Sequence, residues 1–118
     1  MKTVNFIPSQ CVGEEAEFSG MIVFKKLNFD EGLDLQEKLM DGALDEAALA
    51  KQNRFALLKR AVKMSESLIV EIKLVKLADG AAISSFSDMY DDADCAGILS
   101  EIGTFVASGL KVKKIKGS

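Results

Sequence analysis

The chain contains no histidine. That single absence removes Ser-His-Asp and Cys-His catalysis, histidine general bases, and the usual zinc and non-haem iron ligand sets. Cysteine is scarce too: Cys11 and Cys95 are far apart and form no CxxC pair, so free thiols in a reducing compartment are expected. Proline occurs once, at Pro8. No apolar run approaches the ~20 residues that a membrane-spanning helix needs. The opening MKTVNFIPSQ has one lysine and no long apolar core, so it does not read as a signal peptide, and a cytoplasmic location is expected. Positive charge is not in excess. Fifteen Lys and Arg against eighteen Asp and Glu give a net charge of −3 and a pI near 5.0, which argues against a general nucleic-acid surface.

What remains is a composition suited to one small globular domain. The 118 residues suffice for one core and not for two ordinary domains. An apolar share of 48% with 28% charged residues is that of a folded chain rather than a disordered one.

Periodicity predicts an α+β domain over 18–109, with 1–17 as an N-terminal extension or edge strand and 110–118 as a basic tail. The strongest strand pattern is LIVEIKLVKL, 68–77. Leu68, Val70, Ile72 and Leu74 fall on one face, and Ile69, Glu71, Lys73, Val75 and Leu77 on the other. The first face is expected to lie on helices. Glu71 and Lys73 are expected to meet charges on a neighbouring strand. FSGMIVFKKL, 18–27, is the second strand, apolar at its centre on both faces, with Gly20 marking a bulge or a close backbone approach. Short strands are candidates at 3–7 and 81–84, the latter after the turn Ala78-Asp79-Gly80. Gln10 to Glu17 reads as an exposed connection.

Four helical stretches complete the pattern. Asn28 or Asp30 can cap a helix over 30–40, Glu31 giving capping-box spacing if Asn28 is the N-cap, and its inward positions are Leu35 and Leu39 with Leu33 or Met40 beside them. Asp41-Gly42 is expected to end it. A second helix runs over 45–63, with Leu44, Ala47, Ala48, Phe55, Leu58, Ala61 and Val62 near its apolar stripe, and Lys51, Arg54, Lys59, Arg60 and Lys63 on the rest. Ser65-Glu66-Ser67 is expected to interrupt it. Ser85 and Asp88 open a short turn over 86–90. Asp91 or Asp92 then caps a helix over 93–107 that buries Cys95, Ile98, Ile102, Phe105 and Val106, turns Ser100, Glu101, Thr104 and Ser108 to water, and ends at Gly109.

Candidates for chemistry are few. Asp88, Asp91, Asp92 and Asp94 are four carboxylates within seven residues, which a hard cation could use. They lack the EF-hand order, and acids at a helix start already have a structural reason. Glu14, Glu15 and Glu17 lie on a polar connection, where solvated charge is the plainer reading than acid–base work. Cys95 precedes a helix but occupies its apolar stripe without a histidine partner, so a buried structural thiol is expected. Gly97 and Gly103 either allow close packing or are merely tolerated. Neither belongs to GxGxxG or GxxxxGK, so no nucleotide motif is present. Lys111, Lys113, Lys114 and Lys116 could meet phosphates or an acidic protein surface, or simply keep a terminus solvated. Met21, Met40, Met64 and Met89 read as packing residues. No catalytic, cofactor-binding or metal site is assigned.

The order of these features resembles that of phage and prophage tail assembly chaperones. The residues that carry the resemblance are FSGMIVFKKLNFDEGLDLQEKL, the helix ending FALLKRAV, LIVEIKLVKLADGAAISSFSDM and DDADCAGILSEIGTFVASG, together about 18–109. The resemblance implies a non-enzymatic factor that binds the tape-measure protein, recruits tail-tube subunits and self-associates. The family is mostly helical, and this chain departs from it in its two clear strands and basic tail. It supplies no site motif to transfer. Two other readings are a small cytoplasmic regulatory or ligand-binding α+β domain, and a metal-dependent enzyme built on the 88–94 acids.

Overall fold

The computed structural model describes the backbone of residues 2–40 and 46–110, and the side chains of all of these but 40 and 46–56. Several expected features lie outside what is described. They are the helix stop at Asp41-Gly42, the stripe positions Leu44, Ala47, Ala48 and Phe55, the cations Lys51 and Arg54, the side chain of Met40, and the lysines at 111, 113, 114 and 116.

The described chain is α+β. Strands β1 (Thr3–Phe6), β2 (Phe18–Lys25), β3 (Ile69–Lys76) and β4 (Ala82–Ile83) form one antiparallel sheet in the order β1-β2-β3-β4. Helices α1 (Phe29–Met40) and α2 (Glu46–Leu68) lie between β2 and β3. Helices α3 (Phe86–Tyr90) and α4 (Ala96–Ala107) follow β4. The stretch 1–17 therefore supplies an edge strand. It also supplies a 3-10 turn at Ser9–Cys11.

The core sits between one face of the sheet and the helices. Ile22 and Phe24 of β2, Ile72 and Leu74 of β3, Leu35 and Leu39 of α1, Ala61 of α2, and Ile98, Ile102, Phe105 and Val106 of α4 are all buried in one cluster. Fully burying a side chain of this size is worth roughly 1.5–3 kcal/mol. Phe6, Phe24 and Phe105 meet there, with Phe6 stacked on Phe105 at 4.7 Å between ring centroids and Phe24 edge-on at 5.1 Å. The contact ties the edge strand to α4.

The local signals for α1 act as expected. Asn28 Oδ1 accepts from the Glu31 N–H at 2.8 Å, and Glu31 Oε1 accepts from the Asn28 N–H at 3.2 Å, a reciprocal capping box. The end of α4 is a Schellman motif. Gly109 N–H donates to the Val106 carbonyl and Leu110 N–H to the Phe105 carbonyl, both at 3.0 Å, with Gly109 at φ +82° and buried Leu110 packed in the core with Phe105. Gly20 has φ +119°, and a Cβ there would stand 1.6 Å from the Lys73 carbonyl oxygen. The strand can approach β3 only because that position carries no side chain.

Other expectations are corrected. Helix α2 continues through Ser65-Glu66-Ser67 to Leu68 and passes directly into β3. The serine hydroxyls donate back to carbonyls three residues earlier, Ser65 to Val62 at 2.5 Å and Ser67 to Met64 at 2.9 Å, so they are absorbed by the helix instead of breaking it. Leu68 is thus helical, and Val70 is 49% exposed rather than inward. The cause is a β-bulge: Val23 pairs with Glu71 and Phe24 with Ile69, leaving Val70 unmatched and reversing the alternation at that point. Ile69 consequently packs against the core. Leu33 is 53% exposed, so Leu35 and Leu39 alone carry the described inward face of α1. The last helix is also divided, with a 3-10 turn at Ala93–Cys95 preceding the α-helical part, and its expected stripe is buried throughout.

Candidate functional site

The acidic stretch after α3 is a structural clasp. Asp92 Oδ2 lies 2.6 Å and Asp94 Oδ2 3.1 Å from Lys76 Nζ, so both carboxylates close on the end of β3. Asp92 Oδ1 also accepts from the Asp94 N–H at 2.9 Å and caps the 3-10 turn. The Lys76 ammonium, followed by that N–H, holds the Asp92 carboxyl below its usual range. Asp92, followed by Asp94, raises the Lys76 pKa in turn. Asp88 stands in the first turn of α3, where its N–H donates to Ser85 Oγ at 3.1 Å, and Asp91 is exposed at the helix end. Among the described residues no three His, Cys, Asp or Glu side chains group as a metal site would require.

Cys95 is wholly buried between this clasp and α4. Burial first, and the Asp92 charge second, push its thiol up to about 11, so it is protonated near neutrality. Cys11 is half-buried and its thiol is also raised, by burial and by the Glu101 charge. Both thiols are free, as the spacing predicts. Neither environment favours a nucleophilic thiolate. Glu14, Glu15 and Glu17 are exposed on the connection before β2 and converge on nothing. Glu101 departs from expectation. It is half-buried and its carboxylate accepts from both the N–H and the hydroxyl of Ser9, fastening the N-terminal turn to α4. That partner lies 92 residues away, and no local pattern points to it.

Of the two helix glycines, Gly103 is a close-packing position, while exposed Gly97 faces only the movable end of the Gln10 side chain. A Cβ on Gly103 would stand 2.4 Å from Leu58 Cδ1 and 3.2 Å from the Leu58 carbonyl oxygen, so α4 lies directly against α2. A Cβ on Gly97 would stand 2.7 Å from Gln10 Nε2. Gly103 seats α4 against α2.

Three surfaces stand out among the described residues. The outer face of the sheet carries Thr3, Asn5, Ser19, Glu71, Lys73, Val75 and Ala82, all exposed. Glu71 and Lys73 pair along their own strand at 3.6 Å rather than across to β2. Helix α1 turns outward Phe29, 79% exposed, and Leu33. Between α1, the end of α2 and the end of β2 lies a groove of about 430 Å³, lined among others by Lys25, Leu27, Asp34, Lys38, Met64 and Leu68. Lys25 and Glu31 close one side of it, 2.5 Å apart, and that lysine, followed by the Asn28 N–H, holds the Glu31 carboxyl below its usual range.

Fold and surfaces together define an α+β chain with a four-stranded antiparallel sheet and helices over its inner face. No protein-family model matches the chain, and no curated protein or solved structure matches it either. No helix among the described residues is long and apolar enough to cross a membrane.

Proposed function

We propose that the chain is a non-enzymatic protein-interaction factor of the tail-assembly-chaperone type, acting in the cytoplasm on tape-measure and tail-tube proteins and associating with itself. The observation that carries the reading is the outer face of the sheet, where exposed positions surround half-buried Met21 and buried Val23. There Val70 and Val75, both exposed, lie among charged neighbours, as on a surface made for contacts. Of the acids that would have served a metal-dependent enzyme, Asp92 and Asp94 are engaged with Lys76 and Asp88 stands at the start of α3, while Asp91 is exposed at its end. The test is co-purification of the full chain with a co-expressed tape-measure protein, joined to light scattering over a range of concentrations. A stable complex and a mass that rises with concentration are expected. A strict monomer that leaves the tape-measure protein untouched overturns the proposal.

The groove beside α1 favours a second reading, a small ligand-binding domain, since its volume falls within the range of small-molecule sites, roughly 300–1,000 Å³. A small-molecule thermal-shift screen in which Leu27→Glu abolishes a hit would support that reading over the first.

A further inference from the structure

Phe29 and Leu33 stand one turn apart on α1 and are the most exposed apolar pair among the described helix side chains, at 79% and 53%. Beside them runs a second row, Asp30, Asp34 and Glu37, all exposed and none joined to a cation among the described residues. Spacings of four and then three residues place these acids in a line next to the apolar pair. The other neighbour of the pair is Gln36, whose Nε2 donates to the Ala107 carbonyl at 3.2 Å, so the stripe is bounded by the end of α4 on that side. The result is an apolar ridge flanked on one side by Gln36 and on the other by an acidic row that has no cation partner among the described residues and is followed, one turn after Asp34, by exposed Lys38.

We infer that this face of α1 docks a basic amphipathic helix of a partner protein. Its apolar residues would straddle Phe29 and Leu33, and its lysines or arginines would lie over Asp30, Asp34 and Glu37. A ridge spaced by four residues fits between the side-chain rows of another helix, which is how helices pack side by side. The acidic row then selects the sign of the partner's flank and speeds its approach, while the apolar pair supplies the anchors. An acidic helix is excluded by the same row. The inference rests on the reading of the chain as a protein-binding factor and adds the chemistry of what binds at α1.

The probe is a fluorescein-labelled synthetic peptide with leucine at i, i+4 and i+7 and lysine along one flank, measured by anisotropy against the full chain. A second peptide carries glutamate in place of each lysine. Saturable binding of the lysine peptide, weakened by salt, and no binding of the glutamate peptide are expected. Phe29→Ser with Leu33→Ser should weaken binding about tenfold, the scale of losing two apolar anchors. Asp30→Asn, Asp34→Asn and Glu37→Gln together should weaken it about fivefold and flatten the salt dependence. All five positions are exposed, and circular dichroism checks that each variant keeps its helix content. Wild-type affinity in either variant, equal binding of the two peptides, or no binding of the lysine peptide overturns the inference. The peptide result is independent of the tape-measure experiment. A complex with the tape-measure protein that survives Phe29→Ser with Leu33→Ser would place that contact elsewhere and leave the proposed function standing.

Discussion

Helices α1 and α4 are each twelve residues long and both lie on the inner side of the sheet, yet they are held in different ways. Helix α4 buries Ile98, Ile102, Gly103, Phe105 and Val106, and touches α2 through a glycine with no room for a methyl group. Helix α1 buries Leu35 and Leu39, leaves Phe29 and Leu33 in water, and is fastened by polar contacts at its edges: the Asn28–Glu31 box, Lys25 on Glu31, and Gln36 on Ala107. The chain thus places shape complementarity at its centre and polar contacts at its rim. A helix of the second kind can offer a face to a partner without opening the core.

Core truncation should separate the two helices most sharply. Ile102→Ala is expected to cost about 3 kcal/mol in chemical denaturation, since a wholly buried branched side chain leaves a cavity. Leu33→Ala should stay within about 0.5 kcal/mol, as surface changes do. Equal losses would erase the distinction. Next come the glycines, whose replacement should change stability in opposite directions. Gly103→Ala is expected to destabilise by roughly 1–3 kcal/mol through overpacking against Leu58, despite alanine's better helix propensity. Gly32→Ala on α1, where a Cβ would meet nothing within 4 Å, should stabilise by about 0.5–1 kcal/mol. Thermal melting of the two variants decides whether the signs differ. Removing the cap comes third. Asn28→Ala should cost about 1 kcal/mol and, by hydrogen exchange, loosen the first turn of α1 before any amide of α4.

The smallest effect is the pH dependence. Asp92 and Glu31 are both held below the ordinary carboxylate range when folded, by Lys76 and Lys25 in the first place. Their contribution is complete above the unfolded carboxylate value, about 4, and is lost as pH falls through the lower folded values. Lys76 acts in reverse. Its raised folded value gives stability that is complete below the ordinary lysine range and lost as pH rises through the folded value. Denaturation midpoints between pH 7 and pH 2 should fall, and Asp92→Asn, which keeps a capping side chain, should flatten the slope. An unchanged slope in that variant would show that the clasp contributes nothing through its charge.

What could be foreseen from the residues follows the reach of each signal. The Asn28 box, the Ser85 cap, the stop at Gly109 and the buried stripe of α4 depend on neighbours within one or two turns, and all were legible. Ser65 and Ser67 misled because a serine can break a helix or bond back into it, and only the packed context selects. Val70 misled because alternation along β3 presumes continuous pairing with β2, and the bulge breaks that pairing. Glu101 resembled a water-facing acid until the chain brought Ser9 to it.

Residue type and short spacing were enough for the α+β class, the Ser85 cap, the stop at Gly109, the apolar stripe of α4 and the exclusion of histidine chemistry. Tertiary structure alone decided that Gly103 is a contact and not a tolerance, that Asp92 and Asp94 serve Lys76, and that Phe29 and Leu33 stay outside. Each of those outcomes depends on which distant surface arrives at a residue. A chain read in order carries no distances between its distant parts until the core has closed.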